Sequence, residues 1–586
     1  MTKAPALGVA IGDSADAHLP SPFRSDVSLA EYMYYARLQR EEEQLRASGQ
    51  SIRSATPEST SKDDAEKGPT TLDHDYPAAA ADDGLASPQF DGLSAAQRRV
   101  THELLKLRNT EWKGVLFLIC CDILGPFNAP YAIAQMGLVP GVILYIVMGM
   151  TAFWGAMLLL MLFLKLDSAR YPLRTYGDLA TRLLGPWMGG IAIALQAIQL
   201  VINVGIICLS NGQALSQIVT GSGRTMCFSL AVSVTMFLGM ITGQIRTLRN
   251  VGHFATASVG LNIVICLMCM IGAAKYGPNI AAAQAAFGED YPWSNGTPVI
   301  IEAFVSTPLQ ATLVGLGNAV FAFGGASIFL EILSEMKNPR DFWKSALIGQ
   351  SLILVVYLVM ATTVYSKQGQ FSMPAAYLGL NSYGLQTAAN AMSIVTLSIA
   401  ALLYGNIGLK VLYKLVVEGA LKGPTLSTRR GRMLWSPLII VYWGLAFVIG
   451  SSIPQLGGLT AVLGFVCIGA FSFAFPFQFT LTYFLKRDAQ LPEEAFEPGR
   501  ESVTVDSWVS ASRWRRAITT GDVDLTLGLR AKPFLVHGTW VKVLLLVCCL
   551  ASYALAGLGL YGTVLALADA FSGGGAATSF GCAAPS

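Results

Sequence analysis

From Trp112 onward the chain is a succession of about eleven apolar segments, each near the length that crosses a bilayer. They run approximately 112–137, 139–165, 187–216, 223–243, 252–274, 309–335, 343–365, 384–414, 434–452, 457–485 and 539–567. A segment of about 20 apolar residues spans the hydrocarbon core as a helix. Lipid offers the backbone no hydrogen-bond partners, so such a segment must satisfy its own. The pattern predicts an all-α polytopic membrane protein. Composition agrees: 53% of the 586 residues are hydrophobic and 13% charged, against roughly 25% charged in a soluble domain.

Two of the segments are interrupted. Val115–Gly137 contains Gly125, Pro126 and Pro130, and Ala311–Leu333 contains Gly324 and Gly325. They are the first and sixth spans, so the breaks fall at matching places in two halves of about five helices, with an eleventh appended. Interrupted helices at membrane depth are tolerated only inside protein or along a cavity. A matched pair is the sequence pointer to a transporter's binding site at a repeat interface. Two unrelated kinks are the alternative reading.

The breaks suggest a chemistry. A half-helix starting near Asn128 would offer free N–H groups and a positive dipole end to a carboxylate. Free carbonyls near Cys121 and Asp122 suit an ammonium or a cation. At the second break, Phe321-Ala322-Phe323-Gly324-Gly325 would do the same from the other side, with aromatic walls. Gly125, Pro126, Phe127, Asn128 and Phe321–Gly325 are therefore the candidate substrate ligands. Gln199 and Asn203 in the third span, with Gln196 on the same helical face, either line the path or bond neighbouring helices.

Asp122 and Glu331 are acids within apolar spans, where a charge costs at least ~2.5 kcal/mol. They are candidates to sense a coupling proton. Thr396, with Ser393 and Tyr404 in the eighth span, is a candidate cation ligand. Lys410 and Lys113 lie near inner span ends, where either could pair with Glu331 in a gate or snorkel.

Lys and Arg set the orientation. With the amino terminus in the cytosol, the cytosolic side holds Arg170, Arg174, Arg182, Arg340 and Arg429–Arg430, among others. The external loops then hold only Arg224, Lys275 and Lys367. Asn295-Gly-Thr297 falls outside as a glycosylation acceptor. Cys227 and Cys582 also fall outside, and their pairing stays open. The other eight cysteines lie in apolar runs as packing residues. No H-E-x-x-H or Cys/His zinc spacing occurs, so neither an enzyme nor a metal or cofactor site is expected. The net charge of +3 gives no reason to expect nucleic acid.

Residues 1–110 read as a largely disordered cytosolic tail, 111–567 as the transmembrane domain and 568–586 as a short external tail. Two amphipathic stretches interrupt the first. One starts at the capping-box pattern Ser28-x-x-Glu31 and carries Tyr32, Tyr35 and Leu38. The other runs from Ser94 to Asn109. They read either as short surface helices or as segments docked on the cytosolic face. The first twenty residues lack the apolar core of a cleaved signal, so the first span is expected to serve as signal anchor.

Phe321–Ser345 ("FAFGGASIFLEILSEMKNPRDFWKS"), Arg170–Trp187, Met136–Leu144 and Leu402–Tyr413 resemble the amino acid/auxin permease family, especially its fungal neutral amino acid permeases. The tail stretch "EYMYYARLQREEE" resembles the same subgroup. The resemblance implies an eleven-helix LeuT-type fold of inverted repeats and uptake of amino acids, commonly proton-driven. It carries a binding role onto Gly125 and Phe321–Gly325. The first break departs from the family's G-I-L-S-L-P, reading Gly125-Pro126-Phe127-Asn128-Ala129-Pro130. The expected function is secondary transport of neutral amino acids with a proton, in the plasma membrane or, alternatively, the vacuolar membrane. A sensor on the same fold and a sodium-coupled or uncoupled exchanger are the alternatives. The partners are the amino acid, the ion and lipid. The oligomeric state stays open.

Overall fold

A computed structural model describes residues 27–47, 108–123, 125–244, 251–287, 298–424, 426, 428–453, 455–490, 495–498, 511–519, 522–524, 535–572 and 579–582. Most of the second amphipathic stretch, Asn295 and the side chain of Asp122 lie outside the described residues.

Among the described residues the regular structure is helical apart from a short antiparallel ribbon, β1 (Asp522–Asp524) with β2 (Leu535–His537). A tail helix, α1 (Leu29–Ala47), precedes the apolar region. The first interrupted span is α2 (Trp112–Ile123), a 3-10 turn at Pro126–Asn128 and α3 (Ala129–Met136). There follow α4 (Leu138–Leu166), the short α5 (Tyr176–Leu184), α6 (Pro186–Gly221), α7 (Phe228–Thr242), α8 (Val251–Tyr276) and the short α9 (Ile280–Phe287). The second interrupted span is α10 (Leu309–Phe321), a 3-10 turn at Gly324–Ile328 and α11 (Phe329–Glu335). Then come α12 (Phe342–Gln368), α13 (Tyr383–Leu412), α14 (Arg429–Ser452) and α15 (Leu456–Leu463). A π-helical stretch, Gly464–Ala474, joins α15 to α16 (Phe475–Ala489), and α17 (Ala511–Thr519) leads to α18 (Gly538–Ser572).

Among the described residues, nine helices or continuous helical runs are long and apolar enough to cross a membrane. Counting the second interrupted span, bent by 43°, makes ten. The eleventh expected segment is α7, an apolar helix of 15 residues. At 1.5 Å per residue it is shorter than the ~30 Å hydrocarbon core.

Contacts between helix ends sort into two faces. On one, Thr110 bridges to Met336, and Ser345 Oγ donates to Trp112 O at 2.6 Å. Trp435 Nε1 donates there to Gly243 O at 3.4 Å. On the other, Leu138 N donates to Glu302 O, Gln217 Nε2 to Leu378 O and Phe228 N to Cys582 O. The end of α7 is on the first face and its start on the second. A Cys227–Cys582 disulfide ties the carboxyl-terminal tail to that start, which answers the question the sequence left open.

Glycine sets several of the close approaches. Gly137 holds φ at +96°, the region that favours glycine, to reverse the chain between α3 and α4. Gly464 lies so close to Gly317 O that a Cβ would collide with it. This contact lets the π stretch press against α10. α5 begins with a complete capping box, Thr175 with Asp178, which satisfies two end groups of the helix.

The first amphipathic stretch forms α1, which packs against the loop after α4. Ser28 Oγ accepts from Glu31 N at 3.3 Å, but the Glu31 carboxylate turns away to accept from Tyr171 Oη at 2.6 Å. Burial pushes the Tyr171 hydroxyl up to about 12, so it remains a donor at neutral pH. Tyr32 and Tyr35 are buried against Tyr171, under the guanidinium groups of Arg182 and Arg170. Arg40 pairs with the fully buried Asp167 at 2.9 Å.

Candidate functional site

A cavity of about 160 Å³ lies between the two breaks. Gly125, Phe127 and Asn128 reach it from the first, and Phe321, Gly324 and Ser327 from the second. Gln199 and Asn203 line it from α6, and Thr396 and Tyr404 from α13. Eight residues proposed from sequence as ligands or coupling groups thus share one cavity: Gly125, Phe127, Asn128, Gln199, Asn203, Phe321, Gly324 and Thr396. No Asp, Glu, Lys, Arg or His is among the lining residues described.

Other candidates stand apart. Pro126, Ala322, Phe323 and Gly325 are buried behind the wall. Phe323 stacks on Tyr357 with ring centroids 6.1 Å apart and meets Tyr145 at 6.2 Å. Two residues apart on a helical turn, Phe321 and Phe323 point to nearly opposite sides, so only Phe321 faces the cavity. The expected aromatic wall from Phe323 is therefore corrected to a support.

Glu331 is one turn beyond Ser327 on the first face. Gln196 Nε2 donates to Glu331 Oε1 at 2.9 Å and to Ser327 O at 2.8 Å, while Glu331 Oε2 is buried without a partner. Among the described residues no ion pair joins Glu331 to Lys113 or Lys410. Lys113 lies over the Trp112 ring, and Lys410 is half-buried near Glu335.

The amide face of α6 serves both expected uses. Gln196 bonds a neighbouring helix, Gln199 Nε2 donates to Ser327 Oγ at 3.1 Å, and Gln199 and Asn203 border the cavity. On α13, Thr396 Oγ1 donates to Ser393 O and Ser393 Oγ to Asn390 O. Their hydroxyl protons are used by their own helix, leaving the lone pairs for other partners.

The reading from sequence missed a buried hub. Asn318, fully buried in α10, donates to Val314 O at 2.9 Å and to Gly457 O at 3.0 Å. Its Oδ1 accepts from Thr460 Oγ1 at 2.6 Å and Asn128 Nδ2 at 3.4 Å. The hub ties the first break, α10 and α15 into one unit. Nothing in the linear pattern marked it, because its three members are far apart in the chain. Ser472 Oγ in the π stretch similarly holds Phe323 O at 2.9 Å. Ser210 on α6, Ser258 and Asn262 on α8, and Tyr377 between α12 and α13 complete the polar wall. Ser210 continues the α6 amide face seven residues after Asn203, and Ser258 and Asn262 are one turn apart on α8, a spacing that could have found them; Tyr377 carries none.

We expect Asn318→Leu to remove the buried side-chain bonds to Gly457 O, Thr460 Oγ1 and Asn128 Nδ2, although Thr460 Oγ1 keeps Leu456 O and Gly457 O as acceptors. Each lost bond costs about 0.5–1.5 kcal/mol. The thermal midpoint of the purified protein should fall clearly, and by more than for Thr460→Val. An unchanged midpoint would remove the hub from the fold's stabilising contacts.

This is an integral membrane protein with interrupted helices around a central cavity whose described lining carries no charged residue. Residues 108–496 match the transmembrane amino acid transporter family, and the chain belongs to it. It is similar to the N amino acid transport system protein of Neurospora crassa, with 24% identity over 389 residues, 65% of this chain and 77% of that protein. It is 24% identical over 308 residues to a transmembrane transporter of Gibberella moniliformis, 52% of this chain and 61% of that one. Similarity to lysine histidine transporter-like 1 of Arabidopsis thaliana is 22% over 388 residues, covering 63% and 80%.

Proposed function

We propose that this transporter is a secondary carrier of neutral amino acids, working by alternating access around the cavity and driven by protons. The observation that carries the reading is a cavity bounded by both breaks and lined by no ionised side chain described. A zwitterion fits it. Its carboxylate would take the start of the Pro126–Asn128 turn and its ammonium the carbonyls of the opposite half-helices. A cationic side chain would find no acidic partner among the described lining residues. That argues against lysine and histidine, for which the plant relative is named.

In this reading α7 is a short crossing, giving eleven spans, and the first ten form two inverted halves. The face carrying Arg40, Arg170 and Arg340 is cytosolic, in accord with the charge asymmetry. The membrane is the plasma membrane. The proton acceptor is Glu331, whose second oxygen is buried without a partner beside Ser327 and Gln196. Asp122 is the other candidate from sequence. Glu331→Gln should uncouple uptake from an imposed pH gradient while keeping exchange of substrate across the membrane. Unaltered pH acceleration in that variant would remove Glu331 from coupling.

The test of the function is uptake by purified protein in liposomes of a panel of amino acids at two external pH values, with and without a sodium gradient. Neutral amino acids driven by the pH gradient support it. Equal drive from sodium alone would favour the sodium-coupled reading. Saturable binding without flux would favour a sensor.

A further inference from the structure

The segment between α12 and α13 puts an aromatic ring into the cavity. Tyr377, in the 3-10 turn Ala376–Gly379, is 2% exposed and lines the cavity from the face opposite Glu331. Its ring meets Phe127 edge to face, with centroids 5.2 Å apart. Its hydroxyl lies on the side of Ser393 of α13 and Ser210 of α6. The turn is itself held from outside the cavity. Leu378 O accepts from Gln217 Nε2 at 3.3 Å and Gln386 Nε2 at 2.7 Å, and Gly379 O accepts from Gln368 Nε2 at 3.1 Å. Tyr377 is thus fixed at its backbone. Phe127 is the bulky residue at which the first break departs from the family pattern.

The remaining space is small. A cavity of about 150 Å³ holds one benzene, six heavy atoms, and this one is about 160 Å³. Alanine also has six heavy atoms and serine seven, whereas phenylalanine has twelve. Resting on the proposed transport of neutral amino acids, we infer that the Phe127–Tyr377 pair restricts this site to small neutral amino acids of about the size of glycine, alanine and serine. The pair acts by occupying the volume that a longer side chain needs. The amide bonds to Leu378 O and Gly379 O and the packing on Phe127 keep the ring in place. A tenfold to hundredfold preference is about 1.4–2.7 kcal/mol, within what a misfit in a well-packed pocket costs.

The test is uptake of labelled alanine and phenylalanine by liposomes holding the full chain, its Tyr377→Ala and Tyr377→Phe variants, and Phe127→Leu. The unaltered chain should take up alanine at least about tenfold faster than phenylalanine. Tyr377→Ala should bring the two within about threefold, chiefly by raising phenylalanine uptake. Tyr377→Phe should keep most of the preference. Phe127→Leu should relax it in the same direction, and so serves if Tyr377→Ala does not fold. Equal uptake of both by the unaltered chain overturns the size limit and leaves transport standing. So does an unchanged ratio in two folded, active variants, Tyr377→Ala and Phe127→Leu. Absence of alanine and phenylalanine flux in every folded variant overturns the transport reading, and the size limit with it.

Discussion

Gly125→Leu should abolish transport without unfolding the protein. Gly125 borders the cavity with φ at −147°, outside the left-handed region, and a Cβ placed there meets nothing within 4 Å. The backbone therefore accepts a side chain, and the space it enters is the substrate's. Four added carbons in a cavity of about 160 Å³ leave no room for a zwitterion. We expect uptake to fall by about two orders of magnitude, the upper end of the ~1–3 kcal/mol that overpacking costs. Expression and thermal midpoint should stay near those of the unaltered chain. Retained uptake would mean that the substrate binds elsewhere. A collapsed midpoint would mean that the position is structural. Gly464 provides the contrast, since its Cβ would strike Gly317 O, and alanine there should impair folding first.

The second large effect lies on the face opposite Tyr377. Asp167 ends α4, is fully buried, and holds two guanidinium groups at once, Arg40 at 2.9 Å and Arg108 at 2.9 Å. It also accepts from Leu173 N at 3.0 Å. Arg40 brings α1 to this anchor, and Arg108 brings the chain entering the first span. Asp167→Ala would leave nearly buried Arg108 without this carboxylate and Arg40 with Glu43 alone, at 2.7 Å, at a cost of about 3–5 kcal/mol. We expect the tail helix to detach, so that trypsin removes it far faster than from the unaltered chain, and the thermal midpoint to drop. Asp167→Asn keeps an acceptor for Leu173 N and should fall between the two. Unchanged proteolysis of the tail in Asp167→Ala would show that the tyrosines alone, Tyr32 and Tyr35 against Tyr171, hold α1 in place.

The membrane class was legible because apolar length is a local signal. Each run near 20 residues had one physical outcome, and ten met it. α7 was harder, since its length falls short and only its end contacts, Cys227 with Cys582 and Gly243 with Trp435, join it to both faces. Both interruptions were visible as Gly and Pro, and the cavity lies between them. Side-chain direction around the second break was not visible. Phe321 and Phe323 both precede the 3-10 turn at Gly324–Ile328 and point to nearly opposite sides, but which of the two faces the cavity is set by the helices packed around them. The amides of α6 stood out because Gln196, Gln199 and Asn203 repeat on one helical face. Asn318, Thr460 and Tyr377 carry no such repeat. Their importance comes from partners 142 and more residues away for the hub, and from Phe127 for the tyrosine, which one linear pattern cannot display. The tail helix was expected from its capping-box start and its spaced tyrosines. Its docking depends on Asp167 and Tyr171, which lie in a loop with no apolar period of their own.

The central claim is that a neutral zwitterion is carried through the cavity between the two breaks. Its most direct measurement is time-resolved uptake of labelled alanine into liposomes containing the purified chain, with an inward pH gradient, beside the same preparation of Gly125→Leu. The account predicts saturable accumulation that collapses when the gradient is dissipated and is absent from the folded variant. Accumulation by Gly125→Leu equal to that of the unaltered chain, or none by either, would contradict it.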